Sequence, residues 1–492
     1  MIARYENKDL TEIFSDKVKV AMWQRVELAV IKARRELGLI PSGVDILIME
    51  ALRTPVDIIR CLELEDRLKH DLNAFVTERK EKIPANLRRY FHDGMTSYDT
   101  EEPAFAIILS EAWSHISNML TPLSGELERL AKTYRYTPMN ARTHGQEAEM
   151  QSFGARVLTW YKELANVPHG DVERGLGRSK LSGAIGKYGT INPQLEEEAL
   201  EILGLKPFLG ATQIVPRNQY LPLAQTLCQI VQAINKIATD IRLMARSGKP
   251  LVQEPFGKRQ TGSSAMPQKK NTILTEKING MERLAKGYLL SIQENLQTWE
   301  ERAIEQSSCE RVAWPDLFHV TAHAIETLTK VLKGLQVYPD NMLWEIINSR
   351  GCYAAAQAKD FLKEHGVSVG IDEDSAYRIV QLAAFNVHSA SEWAEMTRKV
   401  PPSSLDVADA ALRNGIIEFR REEPVSIEDI IPKGELRISE QLEISEEKVS
   451  EWNRMLFELF ANQKILEEWS VLFQPSYLLR NEPFLFRQIL RC

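Results

Sequence analysis

The sequence predicts an all-α protein: an elongated three-domain fold around a central bundle of long helices. Three observations lead there. From Leu223 the apolar residues run Leu223, Leu227, Ile230, Ile234, Ile237, Ile241 and Met244, in steps alternating four and three. This is one seam of a helix about 35 Å long at 1.5 Å per residue. Leu109, Trp113, Ile116, Leu120, Leu123, Leu127 and Leu130 repeat the pattern, and Pro122 within it predicts a kink rather than a break. Strand-like alternation is nearly absent. Helices this long need long partners to cover their seams, so a bundle follows.

Taken in chain order, shorter helical patterns over 1–96 predict an N-terminal helical domain. The central bundle is expected over 97–348, where a third helix carrying Ile325, Leu328, Leu332 and Leu335 ends near "YPD". Residues 349–492 predict a C-terminal helical domain. Near 400–450 proline and charge rise, in "PPSSLDVADAALRNGIIEFRREEPVSIEDIIPKGE", so an irregular insertion is expected there.

Composition narrows the function. A formal charge of −7 over 492 residues argues against nucleic acid or an anionic membrane surface as a partner. The start "MIARYENKDLTEIF" has no uninterrupted apolar run, so no signal peptide is expected. No stretch reaches the roughly 20 apolar residues of a membrane span. Cys61, Cys228, Cys309, Cys352 and Cys492 are scattered and lack CxxC spacing. That fits reduced thiols in a cytoplasmic protein and gives no metal signal. GxGxxG and P-loop patterns are missing as well, so no cofactor is expected.

Four polar islands interrupt the helices. "FHDGMTSYD", Phe91–Asp99, gathers His92, Thr96 and Ser97 around a glycine, and taken alone Ser97 or Asp99 reads as a helix N-cap. "NARTHGQEAE", Asn140–Glu149, places His144 between Thr143 and Gly145; a lone histidine is more often structural than catalytic. "EPFGKRQTGSSAMPQKKN" ends at Asn271 and opens onto a helical pattern. A flexible linker would explain its composition, but SSxMPxKxN is far more specific than a lone glycine pattern. "WEERAIEQSSCER", Trp299–Arg311, reads either as a solvated helical face or as an anion grip made by Arg302, Ser307 and Arg311. Arg302 and Arg311 lie nine residues apart, two and a half turns of one regular helix. Both reach one anion only if the helix is interrupted, so a break is predicted near Glu305–Ser308.

Together the islands resemble the fumarase/aspartase superfamily, whose members are all-helical homotetramers that eliminate fumarate or a similar product. The loop Gly262–Asn271 is similar to its signature, and "HDGMTSYD" and "RTHGQEAE" to its other shared segments, in the right order. Within it the chain resembles the adenylosuccinate lyase family. "MIARY" with Arg4 and Tyr5, "RLKHDLNAF" with His70 and Asp71, "ATQIVPRNQY" with Gln213, "WEERAIEQSSCER" and "FQPSYLL" are similar to that family's text. Lys69, Asn218, Tyr220, Gln268 and Thr272 depart from it.

The resemblance implies a reaction and roles. The substrates would be adenylosuccinate and the succinylated imidazole carboxamide ribotide SAICAR, with fumarate and, from the first, AMP released. The proton to be removed is barely acidic, so the reaction needs a base, a cluster to stabilise the carbanion and an acid for the leaving nitrogen. Ser263 would be the base, activated by Lys269 and loop amides, and His144 the acid, oriented by Glu276. Lys269 and Asn271 would hold the carboxylate on which charge builds. Thr96, Ser97, Thr143 and Ser264 would hold the succinyl carboxylates. Arg4, Tyr5, His70, Asp71, His92, Gln213, Arg302, Ser307 and Arg311 would complete substrate binding. Gly257 and Gly262 would let the loop close as a lid. The islands lie far apart along long helices, which fits a homotetramer with active sites shared between subunits. An argininosuccinate lyase is the alternative that Gln268 hints at; its substrate carries no phosphate and gives Arg302, Ser307 and Arg311 nothing to do. A carboxymuconate-type cycloisomerase fails on the same ground. A non-catalytic scaffold would not need Ser263, His144 and Lys269 together.

Overall fold

The computed structural model describes residues 1–266, 268–387, 425–439 and 441–490. The protein is all-α apart from short strands. The seam beginning at Leu223 lies on the helix Leu221–Met244, and Leu223, Leu227, Ile230, Ile234, Ile237 and Ile241 are buried. The second seam lies on Ser97–Thr133, which runs unbroken through both Pro103 and Pro122. Each proline removes one amide from the ladder. The helix survives because Leu109, Trp113, Ile116, Leu123, Leu127 and Leu130 are all buried along it. The third seam lies on Ile304–Lys333, with Ile325, Leu328 and Leu332 buried.

The contacts divide the chain into two compact units. The first comprises Met1–Glu126, Trp160–Leu243 and Glu254–Leu335. Its core joins the three long helices to Ile273–Glu294, which packs along Ile304–Lys333. Beneath their apolar faces runs a buried polar network. The Arg217 guanidinium is enclosed by the carboxylates of Glu102 and Glu310. The Tyr220 hydroxyl donates to Glu102 at 2.9 Å, and Gln306 donates to Glu310. Satisfied on all sides, such a network fixes one arrangement of the helices that carry it. Tyr220, a departure from the family's text, is therefore a core residue.

The second unit comprises Leu127–Thr159, Met244–Gln253 and Gln336–Cys492. Its core is built by Ala355–His365, Glu373–Val387, Ile427–Lys433, Glu446–Phe460 and Gln463–Val471. Phe361, Phe460 and Trp469 pack ring to ring at its centre. Of the insertion expected near 400–450, residues 400–424 and 440 lie outside the described residues. Of the rest, 434–439 and 441–445 form neither helix nor strand, while Ile427–Lys433 is a helix whose Ile427, Ile430 and Ile431 are buried in this core. The isoleucines, spaced for one helical face, outweigh the surrounding proline and charge.

Among the described residues, strands form three two-stranded sheets. The longest is an antiparallel hairpin in the second unit, Pro138–Thr143 with Gln146–Ser152, interrupted between Asn140 and Arg142. The sequence there reads as a polar island with no strand signal.

Candidate active site

The first unit brings most of the predicted residues to the ends of its helices. The helix Ser97–Thr133 starts with half of a capping box: the Thr96 amide donates to Asp99 Oδ2 at 2.9 Å. Asp99 Oδ1 accepts from Lys180 Nζ at 2.6 Å and from the Gly183 amide at 3.1 Å, with Asp99 and Lys180 both fully buried. Thr96 and Ser97 are thus held by a buried ion pair that sequence separation hides. His92 adopts a left-handed backbone, φ +56°. Its Nδ1 lies 2.7 Å from Glu27, whose same oxygen accepts from Thr100 Oγ1 at 2.6 Å. His70 caps the helix Asp71–Lys82 by accepting weakly from the Asn73 amide at 3.4 Å, and its Nε2 lies 3.3 Å from Ser97 Oγ. Lys69 before it turns outward to Asp66.

Arg302, Ser307 and Arg311 meet this group from the other side. The predicted break near Glu305–Ser308 is absent; the helix Ile304–Lys333 is continuous through it, and the discontinuity lies just upstream. Ala303 is extended, φ −132° and ψ 158°, with no side-chain cap, so no Ser, Thr, Asp or Asn marked the boundary. Arg302 therefore stands on irregular chain, and Ser307 falls in the first helical turn, its Oγ donating to Ile304 O at 3.1 Å. The Arg302 guanidinium lies 4.1 Å above the Tyr98 ring and donates to Gln213 Oε1 at 3.1 Å. Its Nε is buried without a partner among the described residues. Arg311 pairs with Asp71 at 2.8 Å. A free guanidinium N–H beside the positive end of a 30-residue helix is an arrangement that favours an anion. Next to it opens a cavity of about 270 Å³, lined by Asp71, Tyr98, Glu101, Ser307 and Arg311 with an aromatic wall of Trp23 and Trp314. Arg4 and Tyr5 lie on the 3-10 turn Ala3–Tyr5, the Tyr5 ring edge-on to His323 at 4.9 Å.

The Ser263 loop is closed on itself. Asn271 Nδ2 donates to Gly262 O at 2.9 Å, and the Lys269 amide donates to Met266 O at 3.0 Å. A Cβ on Gly262 would lie 1.9 Å from Lys269 O. Gly262 is thus demanded by close approach, where the sequence suggested only freedom to move. Ser263 Oγ accepts from the amides of Met266 at 3.1 Å and Ala265 at 3.3 Å. Ser264 and Lys269 are exposed. Glu254 clamps the base of the loop: its carboxylate accepts from the amides of Leu274 at 3.0 Å and Thr275 at 2.7 Å, and from Thr275 Oγ1. It thereby caps the helix Ile273–Glu294, whose own N-cap Thr272 has no side-chain bond to the backbone. Glu276 lies in the first turn of that helix, 3.8 Å from Arg242.

Thr143 and His144 belong to the second unit. They stand at the exposed tip of the hairpin, where His144 and Gly145 both have positive φ, +53° and +80°, as a two-residue hairpin turn requires. Arg142 anchors the hairpin by pairing with Glu345 at 2.7 Å, and Asn140 donates to the Glu345 carbonyl at 3.2 Å. Burial raises the pKa of the neighbouring Glu147, while Arg142 opposes the shift.

Three residues of the first unit escaped the sequence reading: Glu101, Tyr98 and Glu254. Tyr98 follows Ser97 directly and Glu101 stands one turn beyond it, but only the fold shows that they face the arginines. Glu254 is a lone acid before a proline, without a cap-like spacing.

Comparison with known proteins places these features in a family. A family model described as Lyase matches residues 5–287. The chain is 35% identical over 396 residues to the adenylosuccinate lyase of Thermotoga maritima, covering 80% of this chain and 90% of that protein. It is 37% identical over 389 residues to the adenylosuccinate lyase of Aquifex aeolicus, covering 78% and 87%. A fumarate lyase from Mesorhizobium sp. superposes with a TM-score of 0.75 at 20% identity, over 100% of this chain and 99% of that one. A β-carboxy-cis,cis-muconate cycloisomerase from Acinetobacter calcoaceticus superposes with a TM-score of 0.73 at 20% identity, over 99% and 98%. At that identity the two structures speak for the fold alone.

Proposed function

The chain belongs to the adenylosuccinate lyase family of the fumarase/aspartase superfamily, and from that premise we propose that it cleaves adenylosuccinate to AMP and fumarate. It is a carbon–nitrogen lyase. We extend the proposal to SAICAR as a second substrate, to a homotetramer with active sites shared between subunits, to a cytoplasmic location and to the superfamily's three-domain organisation.

In this mechanism Ser263 removes the proton from the succinyl carbon next to the carboxylate. The electron pair left behind forms the carbon–carbon double bond of fumarate as the C–N bond breaks, and His144 delivers a proton to the leaving nitrogen. The observation that carries the reading is the Ser263 loop. Two amides donate to the Ser263 oxygen, which favours the alkoxide over the hydroxyl. Lys269 and Asn271 share the loop and would stabilise the charge that builds on the substrate carboxylate. Glu276 would orient His144 when a second subunit supplies the hairpin. Thr96, Ser97, Thr143 and Ser264 hold the two carboxylates. On the nucleotide side, Arg302, whose Nε has no partner among the described residues, takes the phosphate with Ser307 and Arg311 at the start of the helix Ile304–Lys333. Arg4, Tyr5, His70, Asp71, His92 and Gln213 complete the binding surface.

The test is an absorbance assay with adenylosuccinate, SAICAR and argininosuccinate at equal concentration. Turnover of the first two with argininosuccinate untouched is expected. Turnover of argininosuccinate alone would overturn the proposal.

A further inference from the structure

The walls of the cavity beside Arg302 carry an unusual charge balance for an anion site. Three cations, Lys19, Arg217 and Arg311, face four carboxyls, Asp16, Asp71, Glu101 and Glu310. Most are already paired. Lys19 lies 2.7 Å from Asp16, Arg311 lies 2.8 Å from Asp71, and Arg217 is enclosed by Glu310 and Glu102. Glu101 is the exception. It stands one turn beyond Ser97 and lines the cavity, and its carboxyl has no hydrogen-bond or ion-pair partner among the described residues. Arg302, lying outside the wall, brings the formal balance only to zero. A phosphate dianion entering here would meet an unpaired carboxylate.

We propose that Glu101 couples the phosphate site to pH, its carboxyl taking up a proton when a phosphate dianion binds beside Arg302, Ser307 and Arg311. This rests on the nucleotide reading above and adds to it the group that couples recognition to pH. The surroundings suit the role. Burial, with help from the Asp71 carboxylate, pushes Glu101 up to about 7, while Arg302, Arg311 and Lys19 pull the other way. The remaining charged neighbours compensate one another: Asp16 is held by Lys19, and Glu102 and Glu310 by Arg217. In the empty site Glu101 therefore changes charge near neutral pH. A dianion nearby raises its proton affinity further, so binding is tight when Glu101 is neutral and weakens as pH rises through 7.

The test is calorimetric titration of AMP into the full-length protein and into Glu101→Gln. Each is run at pH 6.5 and 8.5, and at pH 7.5 in two buffers of different ionisation enthalpy. For the wild type, Kd is expected to rise about sixfold between pH 6.5 and 8.5 for one unit of displaced pKa, with net proton uptake on binding at pH 7.5. The phosphate's own second ionisation, near pH 6, works in the opposite direction and is common to both proteins. Glu101→Gln should lose the proton uptake and bind AMP about tenfold more tightly than the wild type at pH 8.5. Wild-type binding without proton uptake overturns the inference and leaves the nucleotide reading intact. This measurement decides even if the variant does not fold. Absence of AMP binding at both pH values removes the nucleotide reading and this inference with it.

Discussion

Arg311→Ala separates a phosphate site from a structural ion pair. Arg311 pairs with Asp71 at 2.8 Å, and the two side chains are 60% and 16% exposed. As a pair with its arginine in solvent it contributes about 1 kcal/mol to stability, so the variant should fold normally. Its effect on binding has two parts. Losing one charge-assisted contact to phosphate costs about 1.5–3 kcal/mol. Asp71 then faces the incoming dianion uncompensated, which adds about 1 kcal/mol of repulsion at high effective dielectric. The sum predicts a KM for adenylosuccinate raised roughly fiftyfold to a thousandfold. The turnover number should change less than about threefold, because the phosphate is bound alike in ground and transition states. Adding Asp71→Asn should return a factor of about five, the repulsive part alone. Initial rates over a range of substrate concentration give all three values. A KM within twofold of wild type would remove the phosphate from this segment, and with it the main ground for preferring a nucleotide to argininosuccinate.

Ser263→Ala should lower turnover by at least about a thousandfold while leaving AMP affinity intact, as expected when the group removed acts on the transition state; activity within tenfold of wild type would refute the base assignment. The segment 256–270 should gain hydrogen-exchange protection when AMP and fumarate are bound, since Lys269 and Asn271 then hold it down; equal protection in both states counts against a lid. Glu101→Gln should alter stability with a defined sign. A carboxyl whose pKa is raised to about 7 by burial stabilises the fold below its unfolded value of 4.5, and that contribution is lost as pH rises through 7. The variant should therefore match the wild type near pH 4.5 and exceed it at pH 8.5 in denaturant unfolding; equal stabilities at both pH values would place Glu101 in water.

The long helices were legible because their seams obey one spacing over many turns, as Leu223 to Ile241 shows. The hairpin bearing His144 was not. Its strands, PMNART and QEAEMQS, are polar and carry a single β-branched residue, Thr143. The available signal was the turn, a two-residue His-Gly loop whose glycine tolerates positive φ. The start of the helix Ile304–Lys333 escaped because Ala303 caps by backbone conformation alone. Ser263, Lys269 and Asn271 stand out within one short motif, so a sequence can announce them. Asp99 with Lys180, and Glu102 with Arg217, pair across 81 and 115 positions; no local spacing reports such partners. Glu101 is unpaired but equally hidden: its sequence neighbours suggest a helix cap, and only the fold brings Arg302 and Arg311 near it.

The central claim, that Ser263 and His144 from different subunits cooperate to release fumarate from adenylosuccinate, is tested most directly by one measurement on four samples. Fumarate release is followed for the wild type, for Ser263→Ala, for His144→Gln, and for the two variants unfolded together in equal amounts and refolded. The wild type should release fumarate and each variant alone should be inactive. The mixture should recover up to about a quarter of wild-type activity, because random assembly gives that share of sites an intact serine from one subunit and an intact histidine from another. A wild type that leaves adenylosuccinate uncleaved, or a mixture as inactive as its components, would contradict the account.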